Sequence, residues 1–361
     1  MNNAACNTFA DCMEKNLSVN SERKVGIWLL IGVAMIMVQV VLGGITRLTG
    51  SGLSITEWAP ILGAFPPMNT EAWQEAFDKY KEIGQYKHIN FDFTLSDFKS
   101  IYFWEWLHRL WGRLIGIVFI IPFVYFIYRK MISKKMIIPL TILFLLGGLQ
   151  AVIGWIMVKS GLNKDDISVN HIRLCIHFLA ALILLCYNFW FALKVLVPES
   201  ERIQIKKMHR LNMLVFSVLA LQLIYGAFMA GLKAGNFAPT WPTINGSWWP
   251  AGIDSYSGIS NLVNNPIAVQ LIHRFLAYTL LLIVIFWTVA IRKQPLSGWL
   301  RKTRNLPLIL VLFQVILGIA TVLNSPDKKE LLWWGVSHQF VAMLLLLSFT
   351  WMHYLVMYRR K

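Results

Sequence analysis

The sequence predicts an all-α integral membrane protein of eight transmembrane helices, arranged as two tandem four-helix bundles. Three observations carry this. Of 361 residues, 57% are hydrophobic and only 14% charged, too apolar for a soluble globular domain. The apolar residues gather in eight runs, each long enough to approach the roughly 20 residues of a helical crossing. A short pattern, QxxxG, recurs four times at corresponding places in the two halves of the chain, as an internal duplication produces.

Taken in order, the first run, 25–45, follows a cytoplasmic N-terminal segment, 1–24. That segment mixes acidic with basic residues and has no apolar stretch of its own, so neither a cleaved signal nor an Arg-rich transit peptide fits. A long outer loop, 46–100, leads to the second run, 101–128. Within it Trp73, Phe77, Tyr80 and Ile83 recur at helical spacing behind an Asn69 or Thr70 cap. This predicts an amphipathic helix lying on the membrane surface, with packing on the outer ends of the bundle as the alternative. The third and fourth runs, 136–158 and 172–197, complete an N-terminal bundle, 25–197. A cytoplasmic linker, 198–210, precedes the C-terminal bundle, 211–357, with runs at 211–232, 267–291, 306–323 and 331–357. A short tail, 358–361, ends the chain.

Orientation follows from the basic residues, which outnumber acids by 34 to 18. They cluster in alternate connections: Arg129, Lys130, Lys134 and Lys135; the stretch from Lys194 to Arg210; then Arg292, Lys293, Arg301, Lys302 and Arg304. Loops of this kind face the cytoplasm, which puts both termini inside and a bacterial inner membrane as the simplest location. The net charge of +16 is therefore an orientation signal in a lipid bilayer, and nucleic acid is excluded as a partner. The four Cys show no CxxC or zinc-type spacing, against covalent haem attachment and structural zinc.

The QxxxG motifs, Gln39–Gly43, Gln150–Gly154, Gln222–Gly226 and Gln314–Gly318, all lie toward the outer ends of odd-numbered helices. Each of the following helices carries a histidine near its outer end: His108, His177, His273 and His338. His108 and His273 are each followed by Arg, whereas His177 and His338 each precede an Ala by four residues, so every half contributes one histidine of each kind. A lone intramembrane His is more often a helix-packing hydrogen bonder. Two equivalent pairs at one depth instead match the two axial imidazoles of a six-coordinate haem iron, one haem per half. Arg47, Arg109 and Arg274 stand at the level where haem propionates need cationic partners; each is equally consistent with a snorkelling Arg or one bonded to loop carbonyls.

The halves differ at one polar position. Three residues before the HR histidine stands Glu105 in the first half and Gln270 in the second. Gln has nearly the same shape but neither ionises nor carries protons, and acids within membrane helices are functional by default. The N-terminal site is thus expected to do chemistry and the C-terminal site to move electrons; a structural ion pair of Glu105 with Arg109 or Arg47 is the competing reading.

Beyond these inferences, the chain resembles the haem A synthase (CtaA/Cox15) family over nearly its whole length. The resemblance rests on GGITRLTGSGLSITEWAPILGAFPP, FWEWLHRLWGRLIG, ISVNHIRLCIHFLAA, AGLKAGNFAPTWPTINGSWWP, NNPIAVQLIHRFLAY and GVSHQFVA. The extended first outer loop is similar to the alphaproteobacterial and mitochondrial branch, and the outer-loop Cys pair of some bacterial members is missing. The resemblance implies an oxidoreductase that takes the C8 methyl of haem O to a formyl group, giving haem A for terminal oxidases. Carried over by motif, His273 and His338 would ligate the iron of a resident haem b. His108 and His177 would hold the substrate haem, and Glu105 would be the catalytic acid. His171, six residues before His177, lacks the HxxxA pattern. The partners so implied are a haem O synthase and an electron acceptor; a homo-oligomer is compatible with the sequence. The alternative from another class is a di-haem b-type transmembrane electron-transfer protein. A transporter fits poorly, because no helix is visibly interrupted. His88, His209 and His353 are expected to be bystanders, and Cys175 and Cys186 packing residues.

Overall fold

A computed structural model describes residues 9–59, 62–294, 296 and 298–357. The expected tail, 358–361, and residues 1–8 of the N-terminal segment lie outside the described residues. Among the described residues, eight helices are long and apolar enough to cross a membrane. In chain order the α-helices are α1 (Phe9–Leu48), α2 (Thr70–Lys81), α3 (Gly84–His88), α4 (Leu95–Tyr128), α5 (Lys134–Lys159), α6 (His171–Leu196), α7 (Lys206–Gly231), α8 (Gly258–Asn264), α9 (Pro266–Arg292), α10 (Gly298–Thr303), α11 (Leu306–Leu323) and α12 (Lys328–Val356). The crossings are α1, α4, α5, α6, α7, α9, α11 and α12, with α10 leading into α11. The end carrying the long loops 49–94 and 232–265 is termed outer, after the orientation read from the basic residues.

Capping side chains set where several crossings begin. Asn170 accepts from the backbone N–H groups of Ile172 and Arg173, Asn265 from those of Ile267 and Ala268 beside Pro266 in the first turn, and Asp327 from those of Lys329 and Glu330. Each cap satisfies donors that would otherwise be left without partners at the outer end of a helix. Thr94 and Asp97 form a reciprocal capping box, which starts α4 at Leu95, six residues before its apolar run. The helix therefore extends beyond its apolar stretch by about 9 Å at 1.5 Å per residue.

That extension is the platform for the first outer loop. Asn69 caps α2 through Ala72 N–H at 2.8 Å, and the apolar face of α2 packs on α4. Phe77 stacks on Phe98 at 5.1 Å between ring centroids, Tyr80 meets Phe98 at 5.2 Å, and Trp73 meets Tyr102 edge-on at 4.9 Å. The expected helix exists, but its apolar side is covered by protein, which corrects the membrane-surface reading. Phe98 is fully buried and is the aromatic that a lipid-facing α2 would leave bare.

Neighbour relations repeat between the halves. In the first, α1 packs against α4 and α6, and α5 against α4 and α6; in the second, α7 packs against α9 and α12, and α11 against α9 and α12. The halves meet through α6 with α7, α1 with α12, and α6 with α12. These relations are compatible with a duplicated four-helix unit related by a pseudo-two-fold axis. Large fully buried side chains such as Trp287, Phe349, Tyr354 and Met208 lie near the inner ends of their helices. In the second half the inner part is therefore packed solid, and the space that is left lies farther out.

Candidate functional site

That space is a cavity of about 930 Å³ bordered by His108, His177, His273 and His338, together with Glu105, Arg47, Arg109 and Arg274. The eight residues singled out by sequence thus converge on one volume, of a size that accepts a large cofactor. Its lining is chiefly apolar, as a flat macrocycle requires.

Each histidine is held by the QxxxG motif of the preceding crossing. Gln39 Nε2 lies 3.0 Å from His108 Nε2 and donates to the His108 carbonyl at 3.1 Å. Gln150 Nε2 lies 3.1 Å from His177 Nδ1 and donates to the His177 carbonyl at 2.8 Å. In the second half, Gln222 and Gln314 approach His273 and His338 at 3.3 Å each. One turn further along, the glycine lets the ring in. A Cβ on Gly154 would stand 2.8 Å from His177 Cε1, one on Gly318 2.9 Å from His338 Cε1, and those on Gly43 and Gly226 3.2 and 3.3 Å from their rings. The motif is a histidine cradle, in which an amide orients the imidazole and a missing side chain makes room for it. Counting revealed the repeat in the sequence, but its contact with the histidines is visible only in three dimensions.

The second pair is spaced as two imidazoles sharing one iron would be. The His273 and His338 ring centroids are 6.5 Å apart and the rings are inclined at 76°. With metal–nitrogen bonds of about 2 Å and about 1 Å from nitrogen to ring centre, two imidazoles on one iron stand about 6 Å apart. In both rings Nδ1 is buried without a hydrogen-bond partner, a state that a bound group would relieve. Among the described residues no group of three or more His, Cys, Asp or Glu could hold a bare metal ion. A macrocycle that brings its own equatorial nitrogens needs only the pair, so the residues present fit a haem.

At the rim, the two halves use the same helical position differently. Glu105, with 3% of its side chain exposed, accepts from Arg109 Nη2 at 2.6 Å through Oε1, and from Ser54 Oγ at 2.7 Å and Ile55 N–H at 2.8 Å through Oε2. Arg109 also donates to the carbonyls of Ile55 and Glu57. Gln270 donates to the Ala238 carbonyl at 2.9 Å while its Oε1 has no partner, and Arg274 donates to the carbonyls of Thr240, Pro242 and Thr243. Both pairs fasten an outer loop over the cavity, but only the first contains a carboxylate. The Glu105–Arg109 ion pair is present, so the charge is compensated; it also borders the cavity rather than being sealed from it.

Arg47 ties the halves together by donating to the Ala230 carbonyl at the end of α7. Beside it Lys233 takes a left-handed backbone conformation, φ 51°, and also borders the cavity, as does Arg113. Burial, with Arg47 and Lys328 close by, lowers the Lys233 pKa. The sequence reading missed Lys233 and Arg113, because a single basic residue within a membrane helix or just past its end looks like any snorkelling side chain.

The remaining histidines lie elsewhere. His171 borders a separate outer cleft with Lys159 and Arg173. His88 is exposed. His209 and His353 face each other at 5.1 Å near the inner end, with Trp190 beside His353. Cys175 is buried, and Cys186 accepts from Thr350 Oγ1 at 3.7 Å.

Fold and site together define a class: eight-span helical membrane proteins whose histidines border a central cavity under fastened outer loops. The profile of the cytochrome oxidase assembly protein family, COX15-CtaA, matches residues 26–350, and the chain belongs to that family. It is 40% identical over 338 residues to the heme A synthase of Flavobacterium psychrophilum, covering 92% of this chain and 98% of that protein. It is 41% identical over 322 residues to the heme A synthase of Parvibaculum lavamentivorans, covering 88% and 90%. With the heme A synthase of Cereibacter sphaeroides it shares 36% over 356 residues, covering 94% and 90%.

Proposed function

We propose that this protein is a haem A synthase, an oxidoreductase that converts the C8 methyl of haem O to a formyl group. The observation that carries the reading is the pairing of two histidine sites with a single cavity-facing carboxylate, Glu105, where the other half has Gln270. In this reading His273 and His338 would hold the iron of a resident haem b. The 6.5 Å separation and the free Nδ1 atoms support it. His108 and His177, bordering the same cavity, hold the haem substrate. Resident haem supplies one-electron redox chemistry when bound.

The chain's own residues do the rest. The four Gln side chains hold the rotation of the imidazoles. Arg109 and Arg274 keep the outer loops closed over the cavity, and with Arg47 and Lys233 they offer positive charge at the edge where haem carboxylates need it. Glu105 takes up a proton as the methyl is oxidised, or stabilises positive charge developing there. Arg109 Nη2 holds one of its carboxylate oxygens and the Ser54 hydroxyl the other. Outside the site, a bacterial inner membrane with both termini in the cytoplasm fits the charge distribution. The partners in this reading are a haem O synthase as donor and an electron acceptor.

Reconstitution of the purified protein with haem O, followed by chromatography of the extracted haems, tests the reading. Haem A beside haem b is expected. Haem b alone, with haem O returned unchanged under turnover conditions, would overturn it and favour an electron carrier.

A further inference from the structure

The cavity is deeper in the N-terminal half. Below the second pair it ends at Leu280 and Leu345, each seven residues past its histidine, and at Leu219 and Val311, each three residues before its glutamine. Below the first pair it continues to Phe119 and Asn188, each eleven residues past the histidine, and to Leu29 and Leu143, ten and seven residues before the glutamines. At 1.5 Å per residue, four additional residues deepen the space by about 6 Å, so it reaches roughly 16 Å below the histidines.

Aligning the halves on their motifs explains the difference. Where the second half has Val215, Leu281, Val311 and Leu312, the first has Gly32, Gly116, Gly147 and Gly148. A Cβ on Gly116, Gly147 or Gly148 would meet nothing within 4 Å, and all three are exposed on the border of the cavity. The extension therefore opens sideways toward lipid between α4 and α5. At its floor stands Asn188 where the second half has Phe349, which is fully buried against Trp287. Asn188 is 3% exposed, borders the cavity, and its Oδ1 has no hydrogen-bond partner. The equivalent space in the second half is filled by side chains, whereas here it stays open to an occupant.

We propose that this extension, floored by Asn188 and opening through Gly116, Gly147 and Gly148, receives the long apolar chain of the haem substrate. The inference rests on the haem A synthase reading and adds how the two sites tell their haems apart. Haem O carries a hydroxyethylfarnesyl chain that haem b lacks, so the hollow half accepts the chain and the plugged half takes the compact macrocycle. The slot also gives a chain-bearing haem a way in from the bilayer without opening the fastened outer loops.

The test is a spectral titration of the full chain in detergent, with haem b already at the C-terminal pair, using haem O and then haem b as added ligand. His108→Ala identifies the signal of the first pair. Two variants write in second-half residues: the Gly147→Val/Gly148→Leu double variant and Asn188→Phe. The spectrum of the haem b at His273 and His338 reports that each is folded. Expected is at least a tenfold loss of haem O affinity in both, with haem b affinity at the first pair changed by less than twofold. Equal weakening of both haems, or no change for either, would overturn the proposal. A wild-type protein showing no His108-dependent signal with either haem would overturn the underlying haem reading, and this inference with it.

Discussion

Glu105 and Arg109 form the most consequential contact between two side chains in the molecule. Three donors converge on one nearly buried carboxylate, and the pair carries the loop from Ser54 to Glu57 with it. Removing one member of a buried pair leaves the other charge uncompensated, at about 3–5 kcal/mol. Arg109→Ala is expected to lower the thermal midpoint in detergent clearly, whereas Glu105→Gln should lower it far less, because Gln270 shows that an amide is accommodated at the equivalent position. Differential scanning fluorimetry of the two variants reads the contrast. Legibility at this scale was uneven. An acid in an apolar run is conspicuous, so Glu105 stands out in the sequence; the ion pair with Arg109, the competing reading there, is present in the structure. Lys233 does not stand out, because its significance comes from Arg47 and Lys328, which are distant in the chain.

Among the elements, the crossings were legible to within a few residues, because an apolar run in lipid has one stable solution. What covers an amphipathic face was not: the Trp73–Phe77–Tyr80 stripe is the same whether it meets lipid or Phe98. Packing on α4 buries the Tyr80 hydroxyl, which donates to Gln85 Oε1 at 2.9 Å and accepts from Asn90 Nδ2 at 2.8 Å. Burial pushes its pKa up to about 12, above the ordinary value near 10. The folded loop therefore holds this proton more tightly than the unfolded one. The stability so contributed is complete below pH about 10 and is lost as the pH rises toward 12. Hydrogen exchange of peptides covering 70–90 should accelerate over that window, and Tyr80→Phe should flatten the pH response. The histidine cradles make a second prediction at this scale. Gln314→Leu removes the amide that orients His338, and loss of such an outer partner typically costs 10–100-fold in affinity. Haem retention at the second pair during dilution should fall accordingly while the first pair is unaffected.

Across the whole molecule, duplication supplies two similar sites and divergence gives them different work. Repeated motifs show the duplication in one dimension. The depth of the cavity does not show there, because a glycine in a membrane helix is as often a close-packing device as the wall of a space. Only the juxtaposition of α1, α4, α5 and α6 reveals Gly32, Gly116, Gly147 and Gly148 as borders of one volume. If the sites are separate, His273→Ala should lose haem b while still binding haem O at the first pair, and His108→Ala should do the reverse; extracted pigments measure both. The central claim is that chemistry belongs to the half with the carboxylate. The most direct test is haem A formation from haem O by wild type, Glu105→Gln and Gln270→Glu, with the bound haems quantified in each. Wild type and Gln270→Glu should yield haem A, while Glu105→Gln should keep both haems yet form at least about a hundredfold less. Undiminished haem A from Glu105→Gln would contradict the account.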